Sequence, residues 1–279
     1  SVPYLGIQLR ASGVLFNILT DGLFSVNVGM WMLAIIVTLY VALGGLRSVA
    51  YVDTAQCILL WGGIVALGLI GVNFAGGWDG MTSKYGDIVA WINSGGAEVP
   101  KWADPEAAKV FLANKAAIFK ITPDGYSHFV AVPGVIQFVP VGPKAVGGTW
   151  TGIMVLTYMF ALMGIHASPA FSMWAFANKN PKPFPLQQVW ASTLGIGFAL
   201  FIFTTMQAMG GWVMALLRPE GAAETILPLA NLVGGKQANL VPYLIHLLKD
   251  AAPFAVGLLA ICALAAMQST GAAYMSTAS

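Results

Sequence analysis

The chain has 279 residues, of which 58 % are hydrophobic and only 9 % charged, with a net charge of +2. Soluble domains carry about 25 % charged residues, so this composition excludes a water-soluble fold, and with it disorder, coiled coil and collagen. Two cysteines exclude a disulfide scaffold, and with no basic arm or stripe nucleic-acid binding has no support.

The solvent this sequence expects is a lipid bilayer. A spanning helix needs about 20 mostly apolar residues, and six stretches qualify: 1–20, 26–43, 56–74, 152–176, 189–217 and 251–279. They are too long for barrel strands of about ten residues and lack their alternation. The expected fold class is therefore an all-α membrane protein with one transmembrane domain.

In the first span Gln8 and Arg10 are expected to face the bundle interior, where Gln8 could line a substrate path. Arg10 could instead snorkel toward the cytoplasmic end. The turn Asp21–Ser25 has no basic residue, whereas Gly44–Asp53 carries Arg47 and Asn178–Pro185 carries Lys179 and Lys182. Basic residues in short loops mark the cytoplasmic side, which makes Arg47 a cytoplasmic anchor. The pair Gly44-Gly45 ends one helix there. Asp53 stands at the start of the third span, as a partner for the helix N-terminus or as a functional intramembrane carboxylate.

Residues 75–149 hold 12 of the 24 charged side chains and form a long polar loop, which the orientation rule allows to lie outside the cell. Within it, Asp104-Pro105-Glu106 reads as an N-cap, a proline at the first helical position and an acid near the dipole. Val130–Val132 and Val135–Val139 flank Pro133-Gly134, as in an extended hairpin.

In the fourth span Pro169 removes a helix hydrogen bond. Ser168 and Pro169 could thus mark a break that exposes backbone to substrate, or a packed kink. His166 has no histidine on another span to complete a haem or relay pair, so it reads as a satisfied polar residue. Val241–Leu248 suggests a short interfacial helix, with Asp250 as a cap and Pro253 in the first turn that follows. The chain opens inside one apolar run and closes inside another, as expected of an interior fragment.

The sixth span contains Ala265-Ala266-Met267-Gln268-Ser269-Thr270. Residues three and four apart share a helix face, so the Ser269 and Thr270 hydroxyls stand beside the carbonyl of Ala266. Two hydroxyls and a carbonyl suit a hard monovalent cation such as Na⁺, which prefers oxygen ligands. Small residues at that spacing also serve plain helix packing, with hydroxyls bonded to the preceding turn.

Gly44-Gly45-Leu46-Arg47-Ser48-Val49 followed by Asp53 and Gln56, together with the distant Ala265–Thr270 run, resembles the sodium:solute symporter family. The order of elements is similar across essentially the whole chain. The resemblance implies a part of a leucine-transporter-type inverted-repeat bundle, covering the third to eighth core helices. It implies Ala266, Ser269 and Thr270 as sodium ligands, completed by carbonyls of a first core helix outside this chain. Some relatives hold a second sodium with the acid matching Asp53 and two hydroxyls, but Ala272 and Ala273 stand there, implying one coupled ion. Trp174 stands where relatives often carry an arginine, so that role does not transfer. The implied function is sodium-coupled symport of a small organic solute across the cytoplasmic membrane by alternating access, without enzyme chemistry. Na⁺ is then the coupling ion, and no other cofactor is implied. A symporter-like sensor module of a signalling protein is the alternative.

Overall fold

The structure, a computed structural model, describes residues 2–94, 96, 98–114, 120–121, 130–131, 172–173, 176–177, 179–180, 182, 184–233 and 236–278. Among the described residues the regular structure is helical, apart from one pair of two-residue strands. Ser168, Pro169, His166, Trp174 and most of the expected span 152–176 lie outside the described residues. The chain divides into two compact units, one of residues 1–67, 164–201 and 241–279, the other of residues 68–163 and 202–240.

The first unit begins with α1 (Val2–Leu19) and α2 (Val26–Phe74). Their turn is closed by two left-handed residues, Asp21 with φ 51° and Gly22 with φ 81°. Thr20 Oγ1 accepts from the Phe24 amide at 3.2 Å, and Asn17 Nδ2 donates to the Phe24 carbonyl at 2.9 Å. Arg10 is exposed rather than turned to the interior, while Gln8 is half-buried.

Helix α2 is one run of 49 residues broken only at Gly45, whose φ of 58° and ψ of −164° no L side chain adopts readily. The glycine pair therefore does end a helical limb, but the next limb starts at once. At 1.5 Å per residue the limbs on either side of Gly45 extend roughly 28 and 43 Å, each close to or beyond the ~30 Å apolar thickness of a bilayer. This corrects the reading of Gly44–Asp53 as a turn. Residues 46–55 are helical, so Asp53 lies about two turns inside the limb and beyond reach of its orphan amides. Arg47 is exposed just past the break.

Next come α5 (Phe184–Val189), a π-helical run (Trp190–Gly197), α7 (Leu240–His246) and α8 (Pro253–Ala278). Pro253 is the first residue of α8, which places Ala252, not Asp250, next to it as the flanking residue. Helix α8 packs on α1, and Leu33, Val37, Val49 and Ala272 form a buried cluster with Leu9, Tyr40 and Met267 around it. One face of α8 remains uncovered at Phe254, Leu258 and Ile261. Spaced by four and three residues, these form the apolar stripe that a lipid-facing helix presents.

The second unit contains a helix that hydropathy alone passes over, α3 (Gly77–Asn93). Its Met81, Tyr85, Ile88 and Trp91 are buried at helical spacing. They meet α4 (Pro105–Ala113), whose Phe111 ring stacks on Trp91 at 5.7 Å and meets Trp212 edge-on at 5.9 Å. The expected cap forms: Asp104 Oδ1 accepts from the Ala107 amide at 2.8 Å, with Pro105 in the first turn. The other carboxylate oxygen of Asp104 pairs with Arg218 at 2.8 Å, just past the end of α6 (Phe198–Leu216). A backbone bridge between Ala103 and Leu217 completes the joint. Strand β2 (Val130–Ala131) pairs antiparallel with β1 (Lys120–Ile121). That differs from the expected partner at Val135–Val139, which lies outside the described residues.

Among the described residues three helices are long and apolar enough to cross a membrane, within Val26–Phe74, Phe198–Leu216 and Pro253–Met275.

Candidate functional site at helix eight

A glycine opens the seam between the second limb of α2 and α8. A Cβ built on Gly63 would lie 2.4 Å from Cys262 Cβ, so the backbones approach more closely than any larger residue allows. Seven residues earlier, Gln56 Nε2 donates to Gln268 Oε1 at 3.0 Å. Seven earlier again, Val49 packs in the cluster that holds Ala272. Rising numbers on one helix meet falling numbers on the other, so the two run antiparallel. Asp53 lies one turn from both Val49 and Gln56, on the face of α2 that meets α8.

On α8 the three oxygens singled out from the sequence gather within one turn. Ser269 Oγ donates to the Ala266 carbonyl oxygen at 3.3 Å, and Thr270 Oγ1 donates to the same oxygen at 3.2 Å. Several other hydroxyls return to their helix more tightly, Ser12 and Thr20 at 2.6 Å, Thr54 at 2.8 Å and Ser94 at 2.9 Å, whereas Thr82 makes one bond at 2.8 Å and a second at 3.3 Å. The carbonyl of Ala266 thus accepts two hydroxyl bonds that are both longer than the roughly 2.5–3.0 Å usual for O–H···O contacts. The spacing is also that of ligands sharing an ion. Two oxygens about 2.4 Å from one cation and at right angles stand about 3.4 Å apart.

Gln268 lies between these oxygens in sequence and carries the contacts that the motif did not reveal. Besides the bond from Gln56, its carbonyl oxygen accepts from Tyr40 Oη at 3.4 Å. Tyr40 belongs to the first limb of α2, so both limbs of that helix reach the same residue of α8. Gln56 is almost fully buried, and its Oε1 and Asp53 Oδ1 are buried acceptors with no hydrogen-bond partner. Buried acceptors of this kind are rare and costly, more so within an apolar span.

The remaining sequence candidates do not join this group by any described contact. Gln8 is half-buried on α1 and Arg47 is exposed beside the Gly45 break. Ser168 and Pro169 lie outside the described residues. A separate polar cluster, which the sequence did not suggest, ties α7 to the α1–α2 turn. His246 Nε2 stands 2.8 Å from Asp21 Oδ1, and the Lys249 ammonium pairs with Asp21 Oδ2. The hydrogen bond from Lys249, followed by that from His246, holds the Asp21 carboxyl below its ordinary value. Its members lie 225 and 228 residues apart, too far for any local motif.

The chain is 33 % identical over 91 residues to the sodium-dependent multivitamin transporter of Oryctolagus cuniculus. That alignment covers 31 % of this chain and 14 % of the relative, so the chain spans only a small part of that protein. No solved structure matches. The Sodium:solute symporter family, whose members are membrane transporters and not enzymes, matches residues 1–279, and the chain belongs to that family.

Proposed function

We propose that this chain is the part of a sodium-coupled symporter that supplies one wall of its ion site, in a protein moving a small organic solute across the cytoplasmic membrane. The carbonyl of Ala266 and the hydroxyls of Ser269 and Thr270 are the ligands from α8. The observation that carries this reading is the pair of long hydrogen bonds, 3.3 and 3.2 Å, on one carbonyl oxygen. A cation replaces two weak bonds there at little cost, and hard oxygens with no formal charge release it again.

Family membership supports the rest of the reading. The architecture is the leucine-transporter type, with α8 as the eighth core helix and the remaining ion ligands on a first core helix outside this chain. Na⁺ bound between those helices favours the outward-facing, solute-ready state. Its departure into the cytoplasm favours the inward-facing one, a differential affinity that drives alternating access. The polar stretch 75–149 lies outside the cell, and Arg47 anchors the cytoplasmic end of α2. Gln8, Ser168 and Pro169 border the solute path. Ala272 and Ala273 offer no side-chain oxygen, so one Na⁺ is coupled per cycle.

The test is uptake into vesicles holding the full-length protein, screened over a panel of small organic solutes with and without a Na⁺ gradient. Removing a ligand hydroxyl from a charge-assisted contact costs about 1.5–3 kcal/mol. Ser269→Ala and Thr270→Ala should each raise the Na⁺ concentration for half-maximal uptake by about tenfold or more. Sodium dependence unchanged in both variants would overturn the assignment.

A further inference from the structure

We infer that Gln56 and Tyr40 are positioning residues for the ion-binding turn of α8, acting through Gln268. This rests on the reading of Ala266, Ser269 and Thr270 as ligands and adds what holds them in place.

The argument starts from a mechanical problem. A helix in lipid can slide along its axis or rotate with little penalty, because lipid and side chains are equally apolar. Either motion would carry the three oxygens away from a partner segment. The seam between α2 and α8 is set sterically by the close approach of Gly63 to Cys262 and by the apolar packing of Val37 and Val49 against Ala272, and apolar packing of this kind resists sliding less specifically than a directed bond does. Hydrogen bonds between helices add the missing direction.

Two bonds between helices end at Gln268: Gln56 Nε2 on its side chain at 3.0 Å and Tyr40 Oη on its carbonyl at 3.4 Å. They come from opposite sides of the Gly45 break. Gln268 precedes Ser269 directly and lies two residues from both Ala266 and Thr270. Fixing its side chain sets the rotation of that turn, and fixing its carbonyl sets its height. The side-chain acceptor of Gln56, Oε1, is unused, being buried without a partner. Burying that amide is unfavourable unless the bond it makes is needed.

The experiment measures equilibrium binding of radiolabelled Na⁺ to the purified full-length protein, which needs no knowledge of the solute. Hydrogen bonds between membrane helices correspond to about a threefold change in an equilibrium constant on average, and nearly twentyfold at the upper end. Gln56→Leu and Gln268→Leu should each weaken Na⁺ binding at least threefold. Because both remove the same bond, the double variant should be no weaker than the worse single one. Tyr40→Phe deletes only a hydroxyl and keeps the fold where a leucine variant fails to assemble. It should weaken binding about twofold to threefold. A purely structural role would lower the amount of competent protein and leave its affinity for Na⁺ unaltered, which overturns the inference. Multiplying effects in the double variant overturn it as well. Ser269→Ala separates the two readings. If it weakens binding while the Gln56, Gln268 and Tyr40 variants do not, only the positioning inference fails. If Ser269→Ala has no effect, the ligand assignment fails and the inference with it.

Discussion

Gly63→Ala probes the seam on which the candidate site depends. The added methyl would sit 2.4 Å from Cys262 Cβ and 3.2 Å from its Sγ, whereas carbon atoms in contact prefer about 3.5–4.0 Å. Relief requires α2 and α8 to part by about 1 Å, which stretches the Gln56–Gln268 bond toward breaking. Overpacking of this kind costs about 1–3 kcal/mol. The better helix propensity of alanine returns up to about 1 kcal/mol. The net loss is therefore on the order of 1–2 kcal/mol, or about 5–30-fold in the folding equilibrium. Gly62 is the control, since a Cβ there meets nothing within 4 Å; Gly62→Ala should be neutral or slightly stabilising. Adding Cys262→Gly to Gly63→Ala removes the atom struck and should recover part of the loss. The assay is a reversible denaturant titration of the purified full-length protein in detergent micelles, followed by the fluorescence of its tryptophans. The close approach is wrong if Gly63→Ala unfolds no earlier than Gly62→Ala, or if Cys262→Gly restores nothing.

Asp104→Ala removes both a helix cap and the partner of Arg218, and should destabilise the protein by about 1–2 kcal/mol; Asp104→Asn keeps the cap and should lose less, in the same titration. Equal losses for the two variants would show that the cap contributes little. Asp21, whose carboxyl is held low by Lys249 and His246, should strengthen the tie between α7 and the α1–α2 turn fully above the ordinary value of 3.8. The tie should be lost as the pH falls through the lower folded value. Hydrogen exchange at Leu247 and Lys249, expressed as protection relative to the intrinsic rate at each pH, tests it: Asp21→Asn should lower protection at neutral pH to the level the unaltered protein reaches only in acid, and unchanged protection would refute it.

Local signals were legible in the sequence where one turn of chain contains all the participants. The Asp104-Pro105 cap needs only Asp104 and the Ala107 amide three residues on, and it forms as read. The three oxygens of Ala266, Ser269 and Thr270 gather for the same reason, since helical geometry brings i+3 and i+4 onto one carbonyl. Gly45 breaks α2 as its glycine pair suggested. The break is shorter than the polarity of Arg47, Ser48 and Asp53 suggests. Polarity does not stop a helix, and the limb resumes as soon as a residue other than glycine follows. Helix α3 was passed over for the opposite reason. Its glycines and charges hide a buried stripe, Met81, Tyr85, Ile88 and Trp91, that a search for helical spacing rather than mean hydropathy would have found.

What stayed hidden is which face of each span meets protein. In water a helix shows its packed face by being apolar there and polar elsewhere. In a bilayer both faces are apolar, because lipid solvates one and neighbouring helices the other. Helix α2 illustrates this: Leu33 and Val37 are buried while Trp31, Ile35 and Leu39 are exposed, and nothing in their chemistry separates the two sets. Only residues that lipid cannot satisfy mark the protein side, namely glycines at close approaches and polar groups that need partners. On the second limb Gly68 and Gly71 mark the approach to α6, while Gln56 and Gly63, seven residues apart, mark the face toward α8, with Asp53 one turn before Gln56 on the same stripe. Their alignment could have named the face that meets α8 from sequence alone. It could not have named Gln268, 212 residues away, as the partner. The separation falls between the two kinds of information a site requires: which residues share a face is local and written in the spacing, and which faces meet is decided only by the fold.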